Sequence, residues 1–218
     1  MNKPIFLWST WAILSVYLVI LAGAIVRMTG SGMGCPDWPK CFGYLIPPTE
    51  RSQLDWQPNK NYEKGNVIIL DNNLQVAIQT FESGKTIDLQ NWEVYTKHDY
   101  TTFNATHTWV EFINRLLGAI SGLIVLGLFI RSLWWIRNQP LLSLFSFFAV
   151  VGMGIQAWLG KTVVDSNLLP SKISLHMIMA LLIVSVLLFV RAKSHGKQIQ
   201  QPSKTLLLLI VGSFVLTL

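Results

Sequence analysis

The stretch His107-Thr-Trp-Val-Glu111-Phe-Ile-Asn114-Arg115 runs directly into an apolar segment that covers residues 116–130. A helical run of about 20 apolar residues is long enough to cross the hydrocarbon core of a membrane. Glu111 therefore lies inside a predicted span, where an ionisable group is costly unless it is paired or functional. Of the chain's 11 acidic residues, it is the only one that we place inside a span.

The composition is typical of an integral membrane protein, because 51% of the 218 residues are hydrophobic and only 13% are charged. Hydropathy predicts an all-α polytopic membrane protein with a four-helix transmembrane bundle. The predicted helices cover residues 1–26, 107–130, 141–159 and 173–190. A fifth apolar run, residues 205–218, is too short to span, and we expect it to be the truncated start of a fifth helix. A short re-entrant end is the alternative.

The basic residues predict the orientation. Seven of them and no acidic residue flank the first span or lie in the 131–140 and 191–204 loops, whereas residues 27–106 hold seven basic and nine acidic residues. The positive-inside rule places the N-terminus and both basic loops in the cytoplasm, and residues 27–106 outside. The net charge of +6 therefore belongs to membrane-flanking loops and does not indicate a nucleic-acid partner.

The first apolar segment is longer than a usual signal-peptide core, so we expect a retained span. Too few residues precede it to form a transit peptide, which favours a bacterial plasma membrane over a mitochondrial one.

Cys35 and Cys41 are the only cysteines, and they lie in a stretch rich in glycine and proline (residues 28–43) that requires tight turns. On the outer side of a membrane a disulfide between them would persist. Three interpretations remain open: a structural disulfide, a disulfide with a redox role, and a cysteine-based metal site. Residues 44–105 are polar, and alternation at 66–70 and 74–78 predicts a short hairpin.

One face of the second span carries His107, Glu111 and Asn114, at i, i+4 and i+7. Gly118 and Gly122 continue this stripe, either as a helix-packing surface or as a slot for a flat ligand. Arg115 follows Glu111 by four residues, so a buried ion pair is the plain alternative to a functional carboxylate.

His176 lies near the outer end of the fourth span, at a predicted depth similar to that of His107. The third span carries a small and polar stripe of Gly152, Gln156 and Gly160. Membrane histidines often form hydrogen bonds between helices. Two histidines at one level beside glycine stripes also suit haem ligation, and both interpretations stay open.

Four stretches together resemble the haem A synthase family, and the resemblance covers all four spans in order. They are Gly23-Ala-Ile-Val-Arg27-Met-Thr29-Gly-Ser-Gly32, the Cys35–Cys41 loop, Glu111-Phe-Ile-Asn-Arg115, and residues 160–168 with His176. The resemblance implies half of an eight-helix protein built from two bundles. It also implies a haem O substrate in this bundle, and haem B on two histidines in a second one. Residues 44–105 are longer than the usual first outer loop of the family.

The implied reaction oxidises a porphyrin methyl group to a formyl group by successive hydroxylations, with oxygen taken from water. The implied partners are the farnesyltransferase that supplies haem O and the lipid membrane, and a homo-oligomer is left open. Glu111 matches the catalytic glutamate, His176 matches the histidine near the substrate iron, and Arg27 and Arg115 match arginines that could pair with haem propionates. Cys35 and Cys41 match paired outer cysteines that one class of the family is thought to use in redox chemistry or haem transfer.

The sequence departs from the family at Asn114, where the family has a histidine. An amide is a weak iron ligand, so the resemblance leaves either His176 alone or His107 as a substitute from two turns above. Two other classes of protein compete with the synthase: a non-enzymatic haem-binding assembly factor of a respiratory oxidase, and a membrane thiol–disulfide oxidoreductase that uses Cys35 and Cys41.

Overall fold

The computed structural model describes residues 2–96 and 103–195. Its four long helices are α1 (Lys3–Met28), α2 (Ala105–Leu133), α3 (Pro140–Asp165) and α4 (Pro170–His195). Each is long and apolar enough to cross a membrane, which confirms the predicted helical membrane class with four spans. The predicted fifth helix, residues 205–218, lies outside the described residues.

Local sequence signals define where three of the helices begin. Both α3 and α4 start with a proline, whose fixed φ suits the first helical position and whose missing N–H is not needed there. Asn104 precedes α2, and its side-chain oxygen accepts a hydrogen bond of 3.2 Å from the backbone N–H of His107. This contact is an N-cap, which satisfies one of the free donors in the first turn.

The described chain divides into two compact units. The first, called here the helical unit, comprises residues 2–20, 117–160 and 169–195. The second, called here the mixed unit, comprises residues 21–96, 103–116 and 161–168. It contains the end of α1, the start of α2, the end of α3 and the segment that connects α1 to α2.

All four helices contribute to the apolar core of the helical unit. The fully buried members are Ile5 and Ala12 of α1, Val125 and Leu128 of α2, Leu142 and Ala149 of α3, and Leu187 and Val190 of α4. The opposite face of α1 carries large apolar side chains that are about half exposed: Leu7, Trp11, Leu14 and Leu18. Because lipid is the favourable surrounding for such a face, this pattern fits a membrane bundle.

The described part of the connecting segment holds five short strands: β1 (Asn61–Tyr62), β2 (Val67–Leu70), β3 (Asn73–Ala77), β4 (Phe81–Glu82) and β5 (Trp92–Val94). They form a two-stranded sheet in the order β1-β4 and a three-stranded sheet in the order β2-β3-β5. Strands β2 and β3 are antiparallel, with Val67 opposite Val76 and Leu70 opposite Asn73. This pair confirms the predicted hairpin. Its turn residues Asp71 and Asn72 both have positive φ, which two-residue hairpin turns favour.

Strand β2 separates two small apolar clusters, because successive side chains of a strand point to opposite faces. Val67 and Ile69 pack in a cluster with the two cysteines. Ile68 packs in a second cluster with Tyr62 and Trp92. The cysteine loop is therefore anchored to the sheet through a common core.

Candidate functional site

Glu111 is buried in the mixed unit and retains only 4% of its exposed surface. One of its carboxylate oxygens accepts a hydrogen bond of 2.9 Å from the backbone N–H of Cys35. The other oxygen pairs with the guanidinium of Arg115, one turn further along α2. The carboxylate is thus fixed at both oxygens, each of which keeps a lone pair for a further donor.

Arg115 connects Glu111 to the cysteine loop. One terminal nitrogen of its guanidinium donates to the carbonyl oxygens of Asp37 and Lys40, at 2.6 and 3.0 Å. The other, which pairs with Glu111, also donates to the carbonyl oxygen of Cys35 at 3.4 Å. The ion pair with Glu111, left open by the sequence, is therefore present. The same guanidinium also binds three loop carbonyl oxygens, so Arg115 joins the Glu111 carboxylate to the loop.

Gly34 brings the loop against the backbone of α2. A Cβ atom at this position would lie less than 3.0 Å from the backbone of His107 and Thr108. The hydroxyl of Thr108 donates to the Gly34 carbonyl oxygen at 2.8 Å. Only glycine permits this approach, and the approach places the Cys35 N–H within reach of Glu111.

Asp37 binds the backbone that follows the cysteine loop. Its carboxylate accepts hydrogen bonds from the backbone N–H groups of Phe42 and Gly43. Burial raises the pKa of Asp37 above its ordinary value, although these two hydrogen bonds and the charge of Arg115 oppose the shift. The carboxylate thus stabilises the turn that follows Cys41.

Tyr95 ties the loop to the end of the connecting segment. Its hydroxyl donates to the carbonyl oxygen of Pro36 at 2.7 Å. Burial raises the pKa of Tyr95 to about 12, and the charges of Asp37 and Asp165 add to the shift. The neutral phenol is therefore the form that the fold favours.

Helix geometry divides the surroundings of Glu111 into two sides. With about 100° of rotation per residue, Thr108 and Arg115 lie roughly 50° to one side of Glu111, and His107 and Asn114 roughly 50° to the other. Thr108 and Arg115 contact the cysteine loop. His107 and Asn114 therefore lie on the opposite side of Glu111 from these two loop contacts.

Asn114 lies next to α1 on this opposite side. Its side-chain oxygen is 3.9 Å from the position of a Cβ on Gly23. The oxygen is buried and has no hydrogen-bond partner among the described residues. His107, in the first turn of α2, is partly exposed. The structure thus keeps both candidate residues beside Glu111 but assigns neither of them an iron.

Cys35 and Cys41 form a disulfide. Both are almost fully buried in the apolar cluster that they share with the sheet. The bond leaves no free thiolate for a metal ion, so the cysteine-based metal site is wrong for this state of the chain.

His176 belongs to the helical unit, where it contacts Gln156 of α3. The side-chain nitrogen of Gln156 lies 3.2 Å from Nε2 of His176 and donates to the His176 carbonyl oxygen at 3.1 Å. Nδ1 of His176 is buried without a partner among the described residues. The hydrogen-bonding interpretation of this histidine is therefore realised, and it leaves one imidazole nitrogen unsatisfied.

The glycine stripes have different surroundings. A Cβ at Gly152 would touch Ile183 at 3.0 Å, so this glycine serves close packing of α3 against α4. A Cβ at Gly160 would lie 3.4 Å from the His176 ring, whereas one at Gly118 would meet no atom within 4 Å. Gly122 faces Met153 at an ordinary contact distance of 4.0 Å. Packing explains Gly152, and open space remains beside Gly118.

A family model described as cytochrome oxidase assembly protein matches residues 6–81 and 79–218 of the chain. The chain belongs to this family. Relatives named haem A synthase confirm the resemblance drawn from the motifs. The protein of Shewanella oneidensis is 26% identical over 182 residues, which are 84% of this chain and 43% of the relative. That of Rickettsia prowazekii is 25% identical over 210 residues, which are 93% of this chain and 54% of the relative.

The chain spans about half the length of these relatives. A third, from an Exiguobacterium species, is 25% identical over 89% of this chain and 49% of its own length. No solved structure matches the chain significantly.

The residues that form this cluster only partly coincide with those predicted from the sequence. Glu111, Arg115, Cys35 and Cys41 come together in one cluster, whereas His176 belongs to the other unit. Arg27 is exposed at the end of α1. Sequence reasoning missed four contributors to the cluster: Gly34, Asp37, Tyr95 and Thr108. The spacing of Thr108, Glu111 and Arg115 at i, i+3 and i+7 was the signal that could have identified Thr108.

Proposed function

We propose that this chain is the substrate-binding bundle of a haem A synthase. The observation that carries the proposal is the buried Glu111 carboxylate, held by Arg115 and by the Cys35 N–H at the start of a membrane helix. Membership of the cytochrome oxidase assembly family and the relatives named haem A synthase support the same function. In this proposal haem O is the substrate, and haem B is bound by a second bundle of the kind that the resemblance implies.

The described residues fit a haem substrate in two respects. Buried polar atoms normally have hydrogen-bond partners, and Asn114 Oδ1 and His176 Nδ1 are among the buried side-chain atoms that have none among the described residues. The position of Gly118 leaves space that a side chain would fill. Each of these features, taken by itself, is one that a flat ligand with polar edges requires. His176 would hold the iron, with His107 as the candidate for a second contact.

Glu111 would act on the methyl group. Oxidation of a methyl to a formyl group with oxygen from water releases four electrons and four protons in total, and the electrons pass to an acceptor. A fixed carboxylate can stabilise positive charge that develops at the methyl carbon, or accept a proton from the attacking water. Arg115 would position Glu111. Arg27 would pair with a propionate, while a propionate contact for Arg115 stays a prediction because that guanidinium is already bound to the loop.

The chain would lie in a bacterial plasma membrane with its N-terminus in the cytoplasm. The basic residues of the short loops support this orientation. The connecting segment and its disulfide would then face the outer, oxidising side. The partners would be the membrane, the farnesyltransferase that supplies haem O, and a second copy of the chain if the protein is an oligomer.

Titration of the detergent-solubilised chain with haem O tests the binding role. We expect saturable binding and an absorption spectrum that changes in a His176→Ala variant. His195→Ala is the matched control, because His195 also lies on α4 but stacks edge-to-face on Phe6. An unchanged spectrum in His176→Ala would remove this histidine as an iron ligand.

A further inference from the structure

Leu45 and Ile46 are the most exposed pair of adjacent large apolar side chains in the described part of the connecting segment, at 76% and 72%. They follow the cysteine loop directly. Isolated exposed apolar residues are common on protein surfaces, but a rigid exposed pair is informative. We call these two residues the apolar knuckle.

The backbone on both sides of the apolar knuckle is fixed. On one side, Cys41 and Tyr44 exchange two backbone hydrogen bonds of 2.9 and 3.1 Å. On the other side, Pro47 and Pro48 are buried. The two apolar side chains are thus presented on a supported turn, so their exposure is built into the fold.

Contacts with α2 place the cysteine loop at the outer boundary of the membrane. Arg115 donates to the carbonyl oxygens of Asp37 and Lys40. It follows Ala105, the first residue of α2, by ten residues, which is about 15 Å along the axis. The 29 residues of α2 extend about 43 Å and exceed a hydrocarbon core of about 30 Å by roughly 13 Å. Even if the whole excess lies before Arg115, this residue is at the outer boundary of the hydrocarbon core.

The apolar knuckle is close in the sequence to Lys40, whose carbonyl oxygen contacts Arg115. Cys41 follows Lys40 directly and is paired with Tyr44. This pairing brings the chain back beside Cys41 just before Leu45. Trp38, within the same loop, is 39% exposed, and tryptophan is enriched at membrane–water interfaces. These side chains therefore lie where α2 enters the membrane.

We propose that Leu45 and Ile46 insert into the lipid leaflet next to the start of α2 and anchor the cysteine loop to the membrane. Lipid is the occupant that the depth of the loop favours, since apolar side chains at that level would otherwise face interfacial water. The anchor has a consequence for the site. It restrains the same loop whose Cys35 N–H holds Glu111.

A photo-crosslinking experiment tests the anchor. The full chain, with p-benzoylphenylalanine placed at position 46, is reconstituted in phosphatidylcholine vesicles, irradiated and weighed by mass spectrometry. We expect an adduct of one phospholipid. The matched control carries the same group at position 89, because Leu89 is 62% exposed on a short helix whose described hydrogen bonds lie within the connecting segment. Cross-links between two chains, or no lipid adduct above the level at position 89, would overturn the proposal.

A second measurement tests the consequence for the loop. The Cys35–Cys41 disulfide is buried, so its reduction by a water-soluble phosphine requires the loop to open. In vesicles, the double variant Leu45→Ser and Ile46→Ser should be reduced severalfold faster than the wild type, while Leu89→Ser should not differ from it. Equal rates in the double variant and the wild type would contradict an anchoring role.

Discussion

The backbone N–H of Cys35 donates a hydrogen bond of 2.9 Å to the carboxylate of Glu111, which lies 76 residues further along the chain. This bond joins the disulfide loop to the buried charge of the second membrane helix. Because of this bond, the loop and the carboxylate form one structural element, and a change in either should alter the structure of the other.

Replacement of Arg115 by methionine should destabilise the protein strongly. It leaves Glu111 buried without its cation and removes the donor for three loop carbonyls. Breaking one side of a buried ion pair costs about 3–5 kcal/mol. Thermal unfolding in detergent measures the loss. Arg51→Met is the matched control, because Arg51 and Asp55 form an exposed pair with the same i, i+4 spacing. That variant should lose no more than about 1 kcal/mol, and equal losses in the two variants would contradict the account.

Gly34→Ala should push the loop away from α2. The added Cβ would overlap the backbone of His107 and Thr108, and backbone cannot give way as a flexible side chain can. Overpacking of this kind typically costs about 1–3 kcal/mol. Gly84→Ala provides the comparison, because a Cβ there would meet only one atom, at 3.8 Å. The measurement is the unfolding temperature of both variants, and a Gly34→Ala protein as stable as Gly84→Ala would show that the loop does not need this close approach.

Deprotonation of Tyr95 should lower the free energy of unfolding at alkaline pH. Its pKa is raised to about 12 in the folded chain, whereas an unfolded tyrosine titrates near pH 10. Between these values the folded state keeps a proton that the unfolded state has lost. The contribution of Tyr95 to the free energy of unfolding is therefore fully present below about pH 10 and is lost as pH rises through about 12.

Chemical denaturation at pH 9 and at pH 11 measures this effect. The drop in stability between the two pH values should be smaller in Tyr95→Phe than in the wild type. It should not vanish, because burial also raises the pKa of Tyr44 and of Tyr62. An unaltered drop would mean that Tyr95 is not the group that titrates.

Gln156→Leu should tighten haem binding if His176 uses Nε2 to hold the iron. The Gln156 side chain occupies that nitrogen, so the bond must break before a ligand can bind there. A hydrogen bond with a net value of about 1 kcal/mol corresponds to roughly a fivefold change in Kd. Haem titration followed by absorbance measures it. Weaker binding in Gln156→Leu would instead show that Gln156 positions the histidine.

Much of the fold could be predicted from the sequence because hydropathy and alternation are local signals. The four spans and the hairpin at 66–78 follow from such patterns. Two of the three interpretations of Cys35 and Cys41 contained a disulfide, and the structure contains that bond. A redox role for the disulfide stays a prediction.

The arrangement around Glu111 could be predicted only in part. Its neighbour Arg115 was recognisable from the i, i+4 spacing, but the loop carbonyls were not, because any residue type supplies a carbonyl. Gly34 and Tyr95 act through contacts with residues far away in the sequence. Neither carries a local pattern that would have indicated this role.

The central claim is that Glu111 acts on a haem methyl group in a bundle that binds haem O. Its most direct test is analysis of the haems extracted from cells that express the protein containing this chain, with and without Glu111→Gln. We expect that the variant still binds haem O but forms no haem A. Conversion of haem O to haem A at the wild-type level by Glu111→Gln would contradict it.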